Sequence, residues 1–266
     1  MQPNALDRLA ELRASGQHEE VLRESQKLLA ETSDPDMQAS LLIDGIGACL
    51  NLGKLNEARR LLTQLQRLDV SDLEGRLNAA FCEPCLLVQE SRLEEGAAAF
   101  AAILRKHRDT FARPQFRYLY EDIQCRRGLA LAELGRYTEA LQILKEAVSF
   151  SFDDAVYELE MHYWLGVCLE EIKAIDQAKE EFFRIIAAGL KNEIEAHARY
   201  RLAVIYFTEG GFAQAREQLE TLLQEFSTND TFKHKDVYRG LSQICERLGD
   251  SAAARHYADL EKAAPH

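Results

Sequence analysis

The sequence has little that would break or staple a helix. Five prolines and fourteen glycines in 266 residues leave few forced ends, while Ala, Leu, Glu, Arg and Gln are plentiful. That balance points to an almost wholly helical protein with no compositional break between unlike domains. No apolar run approaches the ~18 residues of a membrane span. The opening MQPNALDRLAELRASG lacks an apolar core and a cleavage pattern, so no signal peptide is expected. No cysteine follows an apolar leader, which argues against a lipid anchor. A basic excess is missing too: 32 Lys and Arg stand against 44 Asp and Glu, for a formal net charge of −12. Nucleic acid and membrane are therefore not expected as partners. The six cysteines (49, 82, 85, 125, 168, 245) lie mostly in apolar helical pattern. They read as small buried hydrophobes of a reducing compartment, and cytoplasm is the expected location. HExxH, P-loop, GxSxG and GxGxxG patterns are all absent. No catalytic residue, metal or cofactor is expected.

What the chain does have is repetition. Residues 128–147, GLALAELGRYTEALQILKEA, read as two helices folded back across a tight turn. Apolar residues recur at helical spacing on both sides, Gly135 ends the first helix, and Thr138 is the expected cap of the second. Such a hairpin cannot bury its apolar faces alone. Copies of its turn recur as GQHEEV, GKLNEA, SRLEEG, GRYTEA, KAIDQA, GFAQA and GDSAAA, each followed by a small or β-branched residue at 21, 58, 96, 140, 178, 215 or 254. The intervals are 37, 38, 44, 38, 37 and 39 residues, which means seven tandem hairpins with one insertion. Their expected spans are 4–31, 37–68, 71–108, 117–150, 156–188, 193–226 and 235–263. Asn56 is the expected cap in the second, and Pro84 is expected to kink or shorten the first helix of the third. The insertion at 109–116, DTFARPQF, is the expected hinge or change of pitch, and FSTNDTFKHK is a polar loop before the last hairpin.

The expected architecture is all-α: one right-handed superhelical solenoid over 1–266, with sub-segments 1–108 and 117–266 joined at 109–116. First helices line the concave face and second helices the outside.

Gly128, Leu131, Gly135, Tyr137 and Ala140 carry a resemblance to the tetratricopeptide repeat. Leu165, Gly166, Leu169, Ile175, Ala178 and Phe182 continue it, with Lys173 in place of the turn glycine, as do Leu202, Ala203, Tyr206, Gly210, Phe212, Ala215 and Leu219. The resemblance implies a scaffold that binds peptides or proteins, usually in the concave groove. The intervals exceed the common period of about 34, so helices or connections are about one turn longer. The Lys and Asn set by which chaperone-binding members clamp a terminal carboxylate is missing from any three consecutive repeats.

In this register the groove shows two rows. One holds Ile43, Phe81, Cys125, Tyr163, Tyr200 and Arg239; the other holds Asp44, Cys82, Arg126, Trp164, Arg201 and Gly240. Trp164, the only tryptophan, sits between two arginines, and aromatic and Arg side chains are the usual interface anchors. Hairpins four to seven are thus expected to bind an extended segment with an acidic group or terminal carboxylate and an apolar anchor. Arg126, Arg201 and Arg239 would supply charge-assisted bonds, with Tyr163, Trp164 and Tyr200 as the wall and His197 beside them. The competing reading packs Trp164 between repeats and pairs the arginines with Asp122, Glu160 and Asp236. Cys82 and Cys85 form a CxxC pair with no second pair to complete a zinc site; they read as structural cysteines at Pro84. The expected function is a non-catalytic scaffold or adaptor. The alternative is a regulatory receptor whose superhelix responds to a small peptide or metabolite. Stacking through an exposed terminal repeat would give a homodimer.

Overall fold

The structure, a computed structural model, describes residues 5–152, 154–226 and 234–264, with side chains from residue 7. The expected helix start at residue 4 and most of the polar loop, 227–233, lie outside the described residues. Among those described, the chain forms fifteen α-helices and one short 3-10 turn, and no strand. Seven hairpins account for all but one helix. They are α1 (Ala5–Ala14) with α2 (His18–Glu31), α3 (Pro35–Asn51) with α4 (Leu55–Leu65), and α5 (Leu73–Gln89) with α6 (Leu93–Lys106). After the one-turn α7 (Arg108–Phe111) come α8 (Arg117–Glu133) with α9 (Tyr137–Ala147), and α10 (Ala155–Glu171) with α11 (Ile175–Ala188). The last two are α12 (Glu193–Glu209) with α13 (Phe212–Glu225), and α14 (His234–Arg247) with α15 (Ser251–Ala263).

One backbone feature makes each hairpin. A single residue in the left-handed region turns the chain at Gly16, Gly53, Ser91, Gly135, Lys173, Gly210 and Gly249, with φ between 60° and 82°. The amide of the next residue then reaches back into the helix just ended, as Lys54 N does to Cys49 O at 2.8 Å. The small residue five positions on is buried every time, from Val21 to Ala254, so the second helix can close onto the first. At position 96 only glycine fits, because a Cβ there would lie 2.7 Å from Val88 and 3.3 Å from the Pro84 carbonyl. Lys173 pays a left-handed penalty of about 1 kcal/mol that glycine avoids. Lys173→Gly is therefore expected to stabilise the chain by about 0.5 kcal/mol after the extra unfolded-state entropy. A higher urea midpoint at unchanged m-value is the check, and a lower one would count against the turn assignment.

Inner and outer helices begin differently. Side chains of Asp34, Asp72, Asp154 and Asn192 cap α3, α5, α10 and α12, whereas most outer helices start from the turn without a side-chain cap. Thr138 and Asn56 are inside their helices rather than capping them, because α9 starts at Tyr137 and α4 at Leu55. Nor does Pro84 shorten its helix. α5 keeps seventeen residues, the same as α3, α8, α10 and α12, with Pro84 buried. These long inner helices account for the long repeat.

The chain divides into two compact units, Met1–Glu139 and Ala140–His266, the division falling inside α9. In the first, Val21, Leu22, Leu41, Ile46, Leu61 and Leu65 share one core, and Leu77, Phe100, Ile103, Leu119 and Ile123 another. The insertion joins the second of these cores: α7 and the 3-10 turn Pro114–Phe116 bury Phe111 and Phe116 there. In the second unit Ala203, Ala215, Leu219, Leu222, Val237 and Leu241 pack together, and Phe182 is fully buried. Ion pairs also join successive hairpins within each unit, among them Lys54–Glu19 at 2.8 Å, Arg136–Glu94 at 2.8 Å and Lys179–Glu209 at 3.0 Å. Being exposed, they contribute less to stability than the cores do.

Candidate functional site

Six of the seven expected site residues lie in the second unit, on three inner helices: Tyr163 and Trp164 on α10, His197, Tyr200 and Arg201 on α12, and Arg239 on α14. They form two groups. In the first, the Tyr163 ring is edge-on to Trp164 at 5.5 Å and tilted against His197 at 5.8 Å and Phe182 at 6.1 Å. Arg201 donates to Glu170 at 3.3 Å. Burial disfavours the Arg201 charge, but Tyr163 and Glu170 outweigh it and hold the pKa above the ordinary value. Burial pushes the Glu170 carboxyl up while Arg201 opposes it. His197 lies within 3.5 Å of Glu193, one turn back.

The second group surrounds a cavity of about 220 Å³. Tyr200, Val204 and Phe207 supply an apolar wall from α12, and Asp236, Arg239 and Gln243 supply polar groups from α14. Arg239 donates to Glu261 at 2.8 Å and to Asp236 at 3.2 Å, and the Glu261 bond raises its pKa. Val204 is 41% exposed, an apolar side chain left open on an inner helix. Val204 and Phe207 are four and seven residues beyond Tyr200 on the same helical face, so continuing the row along α12 would have found them.

Arg126 belongs to the first unit. Its guanidinium lies 5.5 Å from the Phe81 ring and donates to Asp122 at 3.0 Å. Its neighbour Cys125 is fully buried, so that row position is core and not groove. Each of the three arginines therefore has a carboxylate inside the chain, Asp122 and Asp236 as the competing reading holds, and Glu170 where the rows do not reach.

Among the described residues no group of His, Cys, Asp and Glu is placed to hold a metal. All six cysteines are buried. Burial pushes the Cys82 thiol far up and the Cys85 thiol to about 12, so both are protonated at neutral pH. Cys85 is expected to alkylate with iodoacetamide at least tenfold more slowly in the folded chain than in urea at the same pH, as read by mass spectrometry. Rapid native labelling would show a reactive thiol. His162 is buried and bonds Glu181 at 2.7 Å across its own hairpin, a structural use of a histidine.

The sequence profile described as Tetratricopeptide repeat matches residues 85–156 and 200–266, together more than half of the chain. The chain belongs to the tetratricopeptide repeat family. Its left-handed turn residue and buried small residue, repeated seven times, are the family's hairpin in structural form. Among solved structures the chain is similar to the apo form of the quorum sensor NprR from B. thuringiensis, at 14% identity and TM-score 0.76, over 97% of this chain and 74% of that one. It is also similar to PilF of Pseudomonas aeruginosa, at 18% identity and TM-score 0.63, over 86% and 92%. MamA from Desulfovibrio magneticus RS-1 follows at 17% identity and TM-score 0.54, over 72% and 97%. At such identities the likeness is one of fold. A search of curated proteins finds no match. No helix among the described residues is long and apolar enough to cross a membrane.

Proposed function

We propose that this family member is a non-catalytic scaffold or adaptor whose inner helices hold a protein or peptide segment. The observation that carries the reading is the cavity between α12 and α14, where Tyr200, Val204 and Phe207 form an apolar wall beside Arg239. A preformed apolar recess with a few convergent polar groups is what a binding site needs. The segment suited to it carries an apolar anchor followed by an acidic side chain or terminal carboxylate. The anchor fills the recess, and the carboxylate competes with Asp236 and Glu261 for Arg239. Tyr163, Trp164, His197 and Arg201 extend the surface along α10 and α12. Because exposed ion pairs are weak, exchanging one carboxylate for another costs little.

A second reading is a regulatory receptor, in which a peptide or metabolite in the same recess alters the hairpin stack and so a partner. The fold it shares with NprR, a quorum sensor by name, supports considering it. Trp164, the only tryptophan, reports on both readings. Its fluorescence is to be titrated with a library of free-acid peptides and with their C-terminally amidated forms. Saturable change with the acids and at least a tenfold loss on amidation supports the carboxylate reading; equal response to both forms removes it.

A further inference from the structure

The first unit carries a recess of its own. It is a trough along α5. Two cavities of about 480 and 560 Å³ meet there, with Ile43 and Asn78 lining both. The larger opens beside Arg13, Asp36, Asp44, Asp72, Glu74 and Tyr118. The smaller is walled by Ile46, Leu50, Phe81, Cys82, Cys85 and Phe100. The two ends thus differ in chemistry: four carboxylates against one guanidinium at one, and mainly apolar side chains with carboxamides and Arg126 at the other.

The trough's direction follows from helical geometry. Glu74, Asn78, Cys82 and Cys85 recur at helical spacing on one face of α5, and eleven residues at about 1.5 Å each span roughly 16 Å. An extended chain at about 3.3 Å per residue crosses that length in about five residues. Asn78 lines both cavities and Gln89 the smaller, and a carboxamide carries a donor and an acceptor in the pattern of a peptide unit. A helix, whose backbone groups are satisfied internally, would have no use for them. At the acidic end Asp44 already has its cation, Arg13, at 2.6 Å. Glu74 accepts from the Tyr118 hydroxyl at 2.7 Å and Asp72 from the Gly75 amide at 2.7 Å, both uncharged donors. Their negative charge is thus available to a ligand.

We infer that this trough binds an extended peptide segment carrying Lys or Arg about four residues from a large apolar side chain, the cation beside Asp72 and Glu74 and the apolar group against Phe81 and Cys82. This rests on the peptide-binding reading above, but it names a different recess and the opposite charge.

Two variants isolate it. A Cβ on Gly47, which lines the apolar cavity, meets nothing within 4 Å, so Gly47→Leu fills that end and also favours the helix. Glu74→Lys reverses charge at an exposed position. Capped random heptapeptides displayed as a library are selected on the whole chain, and the recovered peptides are titrated by fluorescence anisotropy. The expected result is a Lys or Arg and a large apolar residue about four apart. Each variant weakens binding at least tenfold, while Tyr200→Ala/Arg239→Ala leaves it within twofold. Peptides indifferent to both trough variants overturn the inference. If those peptides are acidic and need Tyr200 and Arg239, the proposed function stands without it. A library that yields no binder overturns both.

Discussion

Phe182→Ala is expected to destabilise the folded chain by about 3–5 kcal/mol, the usual loss for emptying a fully buried aromatic site. Phe182 has no exposed surface, and its ring edge would lie 2.7 Å from a Cβ at Gly166, so α10 and α11 close around it without slack. Little can move in to fill the gap. Phe183, the next residue, is 43% exposed and serves as the internal control. Phe183→Ala is expected to change stability by less than about 1 kcal/mol. Urea unfolding of the two variants side by side makes the measurement; equal losses would mean that α11 presents a different face to α10. Phe182 also backs the Tyr163 ring at 6.1 Å, so its loss should slacken the Tyr163–Trp164 pair as well.

The second large effect concerns binding. Tyr200→Ala/Arg239→Ala removes one side of the recess and its cation together, and is expected to weaken an acidic peptide by ten- to a hundredfold, about 1.4–2.7 kcal/mol. Both side chains are at least partly exposed, and Arg239 sits in half-exposed ion pairs with Asp236 and Glu261. Tyr200 also packs against the core of the second unit, so stability should fall by about 1–3 kcal/mol without loss of the fold. Affinity by calorimetry and melting temperature on the same preparation separate the two effects. Loss of binding together with a collapsed melt would mean that the recess is a structural joint and not a docking place.

The repeat was legible in the sequence because two local demands leave marks in it. Each hairpin needs one left-handed residue and, five positions later, a residue small enough for close approach. Five turn residues are glycine, and even Ser91 and Lys173 hold the same conformation, so the spacing survived where the residue type did not. The family's pattern in 128–147 extends to the rest on that account. Caps were less legible. Thr138 and Asn56 have the right chemistry, but most outer helices start directly from the turn without a side-chain cap, whereas Asp34, Asp72, Asp154 and Asn192 start inner helices that follow open connections. Pro84 does not shorten its helix, and Gly96 on the next helix approaches its carbonyl closely.

The site was partly legible. Rows drawn across the first helices brought Tyr163, Trp164, His197 and Arg201 together, and put Tyr200 with Arg239. They could not show that Glu170 and Glu261 come from elsewhere to meet the arginines, because such pairs depend on contacts between helices rather than on spacing within one. Nor could they show where recesses open. Cys125 and Arg126 are adjacent, yet one is core and the other lines a cavity.

The central claim is that the inner helices of this tetratricopeptide repeat chain hold a partner without transforming it. A pull-down with the intact chain beside Trp164→Ala/Arg201→Ala, matched for melting temperature, tests it most directly. The intact chain is expected to retain a stoichiometric protein or peptide, unchanged in mass, and the variant at most a tenth as much. Equal retention by both chains, or a bound molecule that leaves chemically altered, would contradict it.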